Sequence, residues 1–593
     1  MNRKNSDVAK DFKGTIKKLI KYNKTLIRLL IISLLLSFIS SILSIIGPDK
    51  LRDITNVITD GIMKGIDLDK VKSIAIVLII IYALSAIFGY IHGFIMNTVT
   101  AYLQKNMRND ISKKINLLPL SYFDKTTVGD ILSRVTNDVD TIGFTMTESV
   151  SSIVSSGTLL IGSVFMMFYT NWILAITAIL STIIGLVFVV IIVVRSQKYF
   201  NEVQKSLGDI NGHIEEVFSG HNVIKAYNAE TETNDTFDQI NHHLFDCGRK
   251  SQFLSGLMHP LMGFTGNFGY VIVCVVGSIL VLNKTIDFGV IVAFMMYIKF
   301  FTRPLMQIAQ SFTGLQSAAA AGERVFAFLE EEEMSDEKEI NDQLDANEVK
   351  GNLEFKNVRF GYNSDKVIIK NFSAKVASGE KIAIVGPTGA GKTTIVNLLM
   401  KFYNINKGDI IIDGKSISNL TRENVHDMFT MVLQDTWIFE GTIKENIRYN
   451  NKDIKDEEIV NACKKVGLHH LIKTLPNGYD TILNDSDNLS QGEKQLLTIA
   501  RAMLSSKPYL ILDEATSNVD TRTEELVQKA MDKLMVGKTS FIIAHRLSTI
   551  RNADLILVIN EGNIVEQGTH EELLKKNGFY ADLYNSQFQQ IMD

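Results

Sequence analysis

Apolar runs long enough to cross a bilayer constrain this 593-residue chain more than any other feature, and they are confined to its first half. A helix crossing the hydrocarbon core needs about 20 predominantly apolar residues. Hydropathy places about six such spans, at 26–46, 74–94, 150–169, 172–194, 261–282 and 286–301. The hydrophobic share that results, 46% of all residues, is high for a protein wholly in water.

The connections between the spans are uneven. Thr170-Asn171 and Asn283-Lys284-Thr285 are short, whereas 95–149 and 195–260 are long, polar and helical in period. Lys4, Lys10, Lys13, Lys17, Lys18, Lys21 and Lys24 precede the first span, with no small-residue cleavage site after it. The sequence therefore predicts a retained first helix entering from the cytoplasm, and an even number of spans then puts both long connections inside. The first outside loop, 47–72, carries Lys50, Arg52, Lys64 and Lys70, a local exception to the charge rule.

After the last span a helix is expected to run to Leu329. The acidic stretch Glu330-Glu331-Glu332-Glu333 follows, and 331–350 reads as a solvated linker. From Gly351 the apolar runs become short and β-branched and alternate with helical patterns, as a soluble α/β domain does. The expected division is a helical membrane domain over 1–330, the linker, and an α/β domain over 351–593. No internal repeat is visible. Cys247, Cys274 and Cys463 lie far apart and read as small buried hydrophobes. A formal net charge of −4 gives no basic surplus, so no nucleic-acid partner is expected.

Residues 386–393, Gly386-Pro387-Thr388-Gly389-Ala390-Gly391-Lys392-Thr393, fit GxxxxGK[ST] and lie between the strand-like run 381–385 and a helical run beginning at Thr394. Glycines let backbone N–H groups turn around phosphate, the helix N-terminus adds partial positive charge, and Lys392 can reach the β- and γ-phosphates. The expected ligand is ATP with Mg²⁺, the cation on the Thr393 hydroxyl. Downstream, four apolar residues run into Asp513-Glu514. Ionised carboxylates at the end of a buried strand need partners. Asp513 suits the Mg²⁺ shell, and Glu514 suits a base that polarises the attacking water.

The residues between and after these two elements narrow the class. Leu489-Ser490-Gln491-Gly492-Glu493 and the following run to Arg501 resemble the signature motif of ABC ATPases. Gln434, Asp520 and His545 stand in the order of that family's Q-loop, D-loop and switch histidine, and Tyr362 matches its adenine-stacking aromatic residue. In the membrane half, residues 121–138 and 220–228 are similar to the two cytoplasmic loops of the family's exporter branch, and 319–329 to the end of its last helix. The resemblance implies an all-α transmembrane domain of six helices with long cytoplasmic extensions, fused to an α/β P-loop nucleotide-binding domain. It also implies catalytic roles for Glu514, His545 and Gln434, with Gln434 joining Thr393 and Asp513 at the metal. Ser490, Gly492 and Asp520 would act across a dimer, so that a second half-transporter completes the site.

Some residues depart from the family pattern. Gln491 stands where glycine is commonest, Glu493 where glutamine is usual, Asn518-Val519 where Ala-Leu is commoner, and 484–488 lacks the usual glycines. With Glu514 intact, the chain is similar to the catalytically complete subunit of bacterial heterodimeric exporters. A heterodimer is the favoured expectation and a homodimer the alternative.

The cargo is less defined. Phe264, Phe268, Phe294, Met295, Met296 and Tyr297 could line a lipophilic cavity, though such residues also face lipid or pack. Lys299 falls at membrane depth, where it either marks a site or snorkels beside Arg303; snorkelling is the favoured reading. Export of lipophilic drugs or lipids across the cell membrane is the expectation. The alternatives are a homodimeric lipid flippase or peptide exporter, or an ATP-gated channel or regulatory protein of the same fold. A soluble mechanical ATPase is excluded by the apolar spans.

Overall fold

The computed structural model describes residues 9–24, 26–62, 65–363, 366–434, 436–483, 489–513, 520–543 and 547–588. The chain divides into two compact units. One comprises 1–116 and 128–331, the other 117–127 and 332–593.

Among the described residues of the first unit, six helices are long and apolar enough to cross a membrane: Ile27–Gly61, Leu68–Leu117, Val128–Thr170, Trp172–Ser219, Glu230–Leu282 and Phe288–Leu329. Each expected span lies on one of them, but the helices run far past the apolar windows. At 1.5 Å per residue the 53 residues of Glu230–Leu282 extend about 80 Å, against about 30 Å for the hydrocarbon core. The long polar connections are thus continuations of the membrane helices, joined by the short helices Leu120–Phe123 and His221–Tyr227. A tight join separates the third and fourth helices, where the Asn171 side chain accepts the Leu174 N–H at 3.0 Å and starts the new helix. The third helix contains two π-helical stretches, Arg134–Asp138 and Met146–Val150. Asp138 in the first is buried and receives a two-pronged bond from Arg324, at 2.6 and 3.0 Å.

An N-terminal helix, Phe12–Tyr22, was not anticipated from the sequence. Its buried Thr15 and Leu19 lie against Gly322, where an added Cβ would come within 2.9 Å of Thr15 Cγ2. Lys18 pairs with Glu330 at 2.6 Å.

Of the positions considered for a lipophilic lining, Met295 and Met296 are half-buried. Phe294 and Tyr297 are completely buried in a packed cluster with Leu174, Ala178 and Val273. Phe264 and Phe268 are exposed on the helix surface, as are Lys299 and Arg303.

The second unit is built on a ten-stranded sheet. Strand Lys381–Val385 sits inside it, with Thr539–Ile543 parallel on one side and Leu555–Asn560 parallel on the other. Its alternate residues serve two cores. Ala383 and Val385 join Leu510, Leu512 and Ile542, whereas Ile382 and Ile384 join Tyr509, Ile511 and Phe541. Burial on both faces is why these strands read as unbroken apolar runs. The stretch Glu330–Glu333 is exposed as expected. Further on, Glu337 is anchored, pairing with Lys401 at 3.1 Å and Arg422 at 2.9 Å, so the segment is solvated only in part.

Candidate active site

Parallel register gathers the candidate residues at one edge of the sheet. Ile384 is opposite Ile543, Ile543 is opposite Asp513, and Leu512 is opposite Val432. The carboxyl ends of four strands therefore lie side by side. In sequence these strands are followed by the P-loop, His545, Glu514 and Gln434 respectively, and ligands of open α/β sheets bind outside the carboxyl ends of the strands. Asp513 and Gln434 are described there, Gln434 exposed at a bend. Glu514 and His545 lie outside the described residues.

The loop 386–391 has the backbone that phosphate binding needs. Gly389 and Gly391 take positive φ of 81° and 105°. A Cβ on Gly386 would come within 2.2 Å of the Ile559 carbonyl oxygen, so only glycine fits. Ala390 is buried, whereas Thr388 and Gly389 are exposed and Pro387 half-buried. Gly391 precedes the helix Lys392–Leu399, whose first N–H groups have no intrahelical acceptor. Lys392 curls back over the loop and donates to the Gly386 carbonyl at 2.7 Å and the Pro387 carbonyl at 3.2 Å. Burial pulls its ammonium pKa below the ordinary range, and the Asp513 carboxylate pulls it back in part.

Thr393 is exposed, while Thr394 is buried and its hydroxyl meets that of Tyr362 at 3.2 Å. Asn397 also donates to the Tyr362 hydroxyl, at 3.3 Å. The Tyr362 ring packs edge-on against Phe360 and Tyr403, each with centroids 5.0 Å away, and remains 41% exposed. That exposure leaves part of the ring open for stacking on a base. The glycine cradle fits a polyphosphate, and Thr393, Gln434 and Asp513 offer oxygen donors of the hard type that Mg²⁺ takes.

Ser490 caps the helix Gln491–Met503. Its hydroxyl accepts the Glu493 N–H at 3.4 Å, and the Glu493 carboxylate accepts the Ser490 N–H at 2.7 Å. Glutamate and glutamine serve equally in such a capping box, which accounts for the departure at 493. Gln491 donates to the Thr436 hydroxyl at 3.4 Å. Asp520 caps the helix Thr521–Met535 by accepting the Thr523 N–H at 3.0 Å. Residues 484–488, 518 and 519, the other departures, lie outside the described residues.

Comparison with known proteins agrees with this geometry. Residues 30–305 match the family model described as ABC transporter transmembrane region, and 369–517 the one described as ABC transporter. The chain is 40% identical to the Bacillus subtilis protein named uncharacterized ABC transporter ATP-binding protein YfiC, over 98% of this chain and 95% of that one. The chain belongs to the ABC transporter family. It is also 42% identical to a Mycobacterium tuberculosis fatty acid ABC transporter ATP-binding/permease protein, over 88% of this chain and 82% of that one. A B. subtilis protein named probable multidrug resistance ABC transporter ATP-binding/permease protein YheH is 35% identical, over 85% and 75%.

This ABC transporter is an exporter-type half-transporter. It is a multi-pass membrane protein with a cytoplasmic ABC domain that binds ATP and couples ATP hydrolysis to transport. Sequence reasoning missed the cap made by Glu493 and the aromatic group around Tyr362. The spacing of Ser490 and Glu493, which is that of a capping box, could have signalled the first.

Proposed function

We propose that this chain is one half of a dimeric exporter that moves lipophilic drugs or lipids across the cell membrane, with a different half-transporter as its favoured partner. The gathering of P-loop, Asp513 and Gln434 at one sheet edge supports the ATPase part of the reading. The relatives named for fatty acids and for multidrug resistance support the class of cargo. The capped signature helix supports a catalytically complete subunit, because Glu493 keeps Ser490 and the helix N-terminus in place despite the altered motif.

Binding begins with Lys392. To reach the β- and γ-phosphates its ammonium group exchanges the Gly386 and Pro387 carbonyls for phosphate oxygens, and the loop N–H groups turn to the same oxygens. Tyr362 stacks on adenine, and Thr394 takes part through its backbone, its side chain being buried. Thr393, Gln434 and Asp513 would hold Mg²⁺, which would neutralise charge on the transferred phosphoryl group. Glu514 orients and deprotonates the attacking water, and His545 contacts the γ-phosphate. Ser490, Gly492 and Asp520 of one copy complete the site of the other, so the closed dimer is favoured only while the γ-phosphate is present.

Closure passes to the membrane through the cytoplasmic loops. Residues 117–127 cluster with the nucleotide-binding unit, and Tyr403 donates a hydrogen bond to Asp124 within it. The helix His221–Tyr227 leaves Val223 and Tyr227 exposed, an apolar face suited to docking on a nucleotide-binding domain.

The test is ATP-driven uptake of a fluorescent amphiphile into inside-out proteoliposomes, with the chain alone and with candidate second subunits. Uptake that needs ATP and is lost in Glu514→Gln is expected. ATP hydrolysis with no movement of any amphiphile would favour a channel or regulatory role.

A further inference from the structure

The membrane unit contains a cleft of about 590 Å³ between four helices, bordered by Ser37 and Ser41 of the first, His92 of the second, Glu148 and Ser151 of the third and Gln310 of the last. Among the described residues its lining is serine, glutamine, histidine, glutamate and one glycine, with no aliphatic or aromatic side chain and no lysine or arginine. Ser37 and Ser41 lie inside the first apolar run, His92 near the inner end of the second, and Glu148 just before the third. The cleft therefore occupies the middle and the cytoplasmic side of the bilayer.

Polar and charged groups at that depth are costly unless they meet water or a ligand. The Ser151 hydroxyl is shielded and has no hydrogen-bond partner among the described residues. His92 is oriented by Ser33, whose hydroxyl lies 2.7 Å from Nδ1. Glu148 sits in the π-helical stretch Met146–Val150, a local widening of the kind that recurs at functional sites.

We propose that this cleft binds the polar head of the cargo and selects a cationic, hydrogen-bond-donating head over a carboxylate. Among the described residues of the lining Glu148 carries the only fixed charge, while the serine hydroxyls and glutamine carbonyls offer acceptors. A carboxylate head would meet like charge with no lysine or arginine among the described residues of the lining. The inference rests on the export reading, and it separates this chain from its relative named for fatty acids.

The test uses the full chain, with whichever second subunit it assembles with, in phosphatidylcholine vesicles. ATP-driven accumulation is measured for three labelled probes sharing one tail: dodecylguanidinium, dodecylurea and dodecanoate. Accumulation is expected to fall in that order, by roughly tenfold between the ends, as befits one charge-assisted hydrogen bond. In Glu148→Gln the guanidinium-to-urea ratio falls to near one, a ratio that corrects for the amount of active protein. If that variant is inactive, the ranking in the unmodified protein still decides. Dodecanoate moving as well as dodecylguanidinium, or a ratio unchanged in Glu148→Gln, overturns the inference and leaves export standing. Hydrolysis with no accumulation of any probe overturns both.

Discussion

The Tyr403 hydroxyl donates a hydrogen bond to the Asp124 carboxylate, joining the short helix Leu120–Phe123 to the nucleotide-binding unit across 279 residues of sequence. The same Tyr403 ring meets Tyr362 edge-on, and the Tyr362 hydroxyl meets Thr394 in the first turn after the P-loop. Burial and the neighbouring carboxylate push the Tyr403 phenol pKa upward, so it remains a donor through the physiological range. Contacts thus run without a break from Tyr362 to the segment 117–127, all within the nucleotide-binding unit.

Tyr403→Phe keeps the ring and removes the donor. Asp124 is exposed, so the bond is worth about 1 kcal/mol. Cargo-stimulated ATPase is expected to fall roughly fivefold with ATP affinity preserved. ATPase assays with and without cargo check this, and undiminished stimulation would show that the bond transmits nothing.

Glu493 tests the reading of the altered signature. Glu493→Gln retains both halves of the capping box, and melting and ATPase are expected to stay near those of the unmodified protein. Glu493→Ala removes the reciprocal acceptor and should cost about 1 kcal/mol of stability. Calorimetry of the two variants gives the comparison.

Asp413 fastens the start of the nucleotide-binding domain. Its carboxylate accepts N–H bonds from Lys350, Gly351 and Asn352, and a further bond from the Asn352 side chain at 2.9 Å. Burial alone would raise its pKa, but the four donors outweigh it and hold the carboxyl below the usual range. A depressed folded pKa gives stability that is complete above the unfolded value, near 3.9, and lost as pH falls through the folded one. Asp413→Asn should therefore cost about 2 kcal/mol at neutral pH, with the difference from the unmodified protein shrinking below about pH 4. Melting temperatures measured against pH follow both curves.

Much of this was legible in the sequence because its signals are local. The apolar windows fall on each of the six candidate membrane helices among the described residues, and the P-loop and Asp513 follow or end strands that lie in one sheet. Helix lengths were less legible, since hydropathy sees only the part in lipid. Whether Phe294 and Tyr297 pack or line a cavity was open in the sequence, because composition does not say which face of a helix meets another helix; they pack. The serine-lined cleft had a signal in Ser37 and Ser41, which with Ser33, the residue that orients His92, recur at helical spacing. The bond between Asp124 and Tyr403 had none, as its partners meet only in the folded chain.

The central claim is that ATP held at Lys392 is cleaved by water that Glu514 activates, and that this cleavage drives transport. Measuring nucleotide binding and phosphate release by Glu514→Gln, assembled with its second subunit in proteoliposomes, tests it most directly. The account predicts ATP affinity close to that of the unmodified protein, phosphate release slowed by about a hundredfold or more, and no cargo movement beyond a single closure. Phosphate release at the unmodified rate would contradict it.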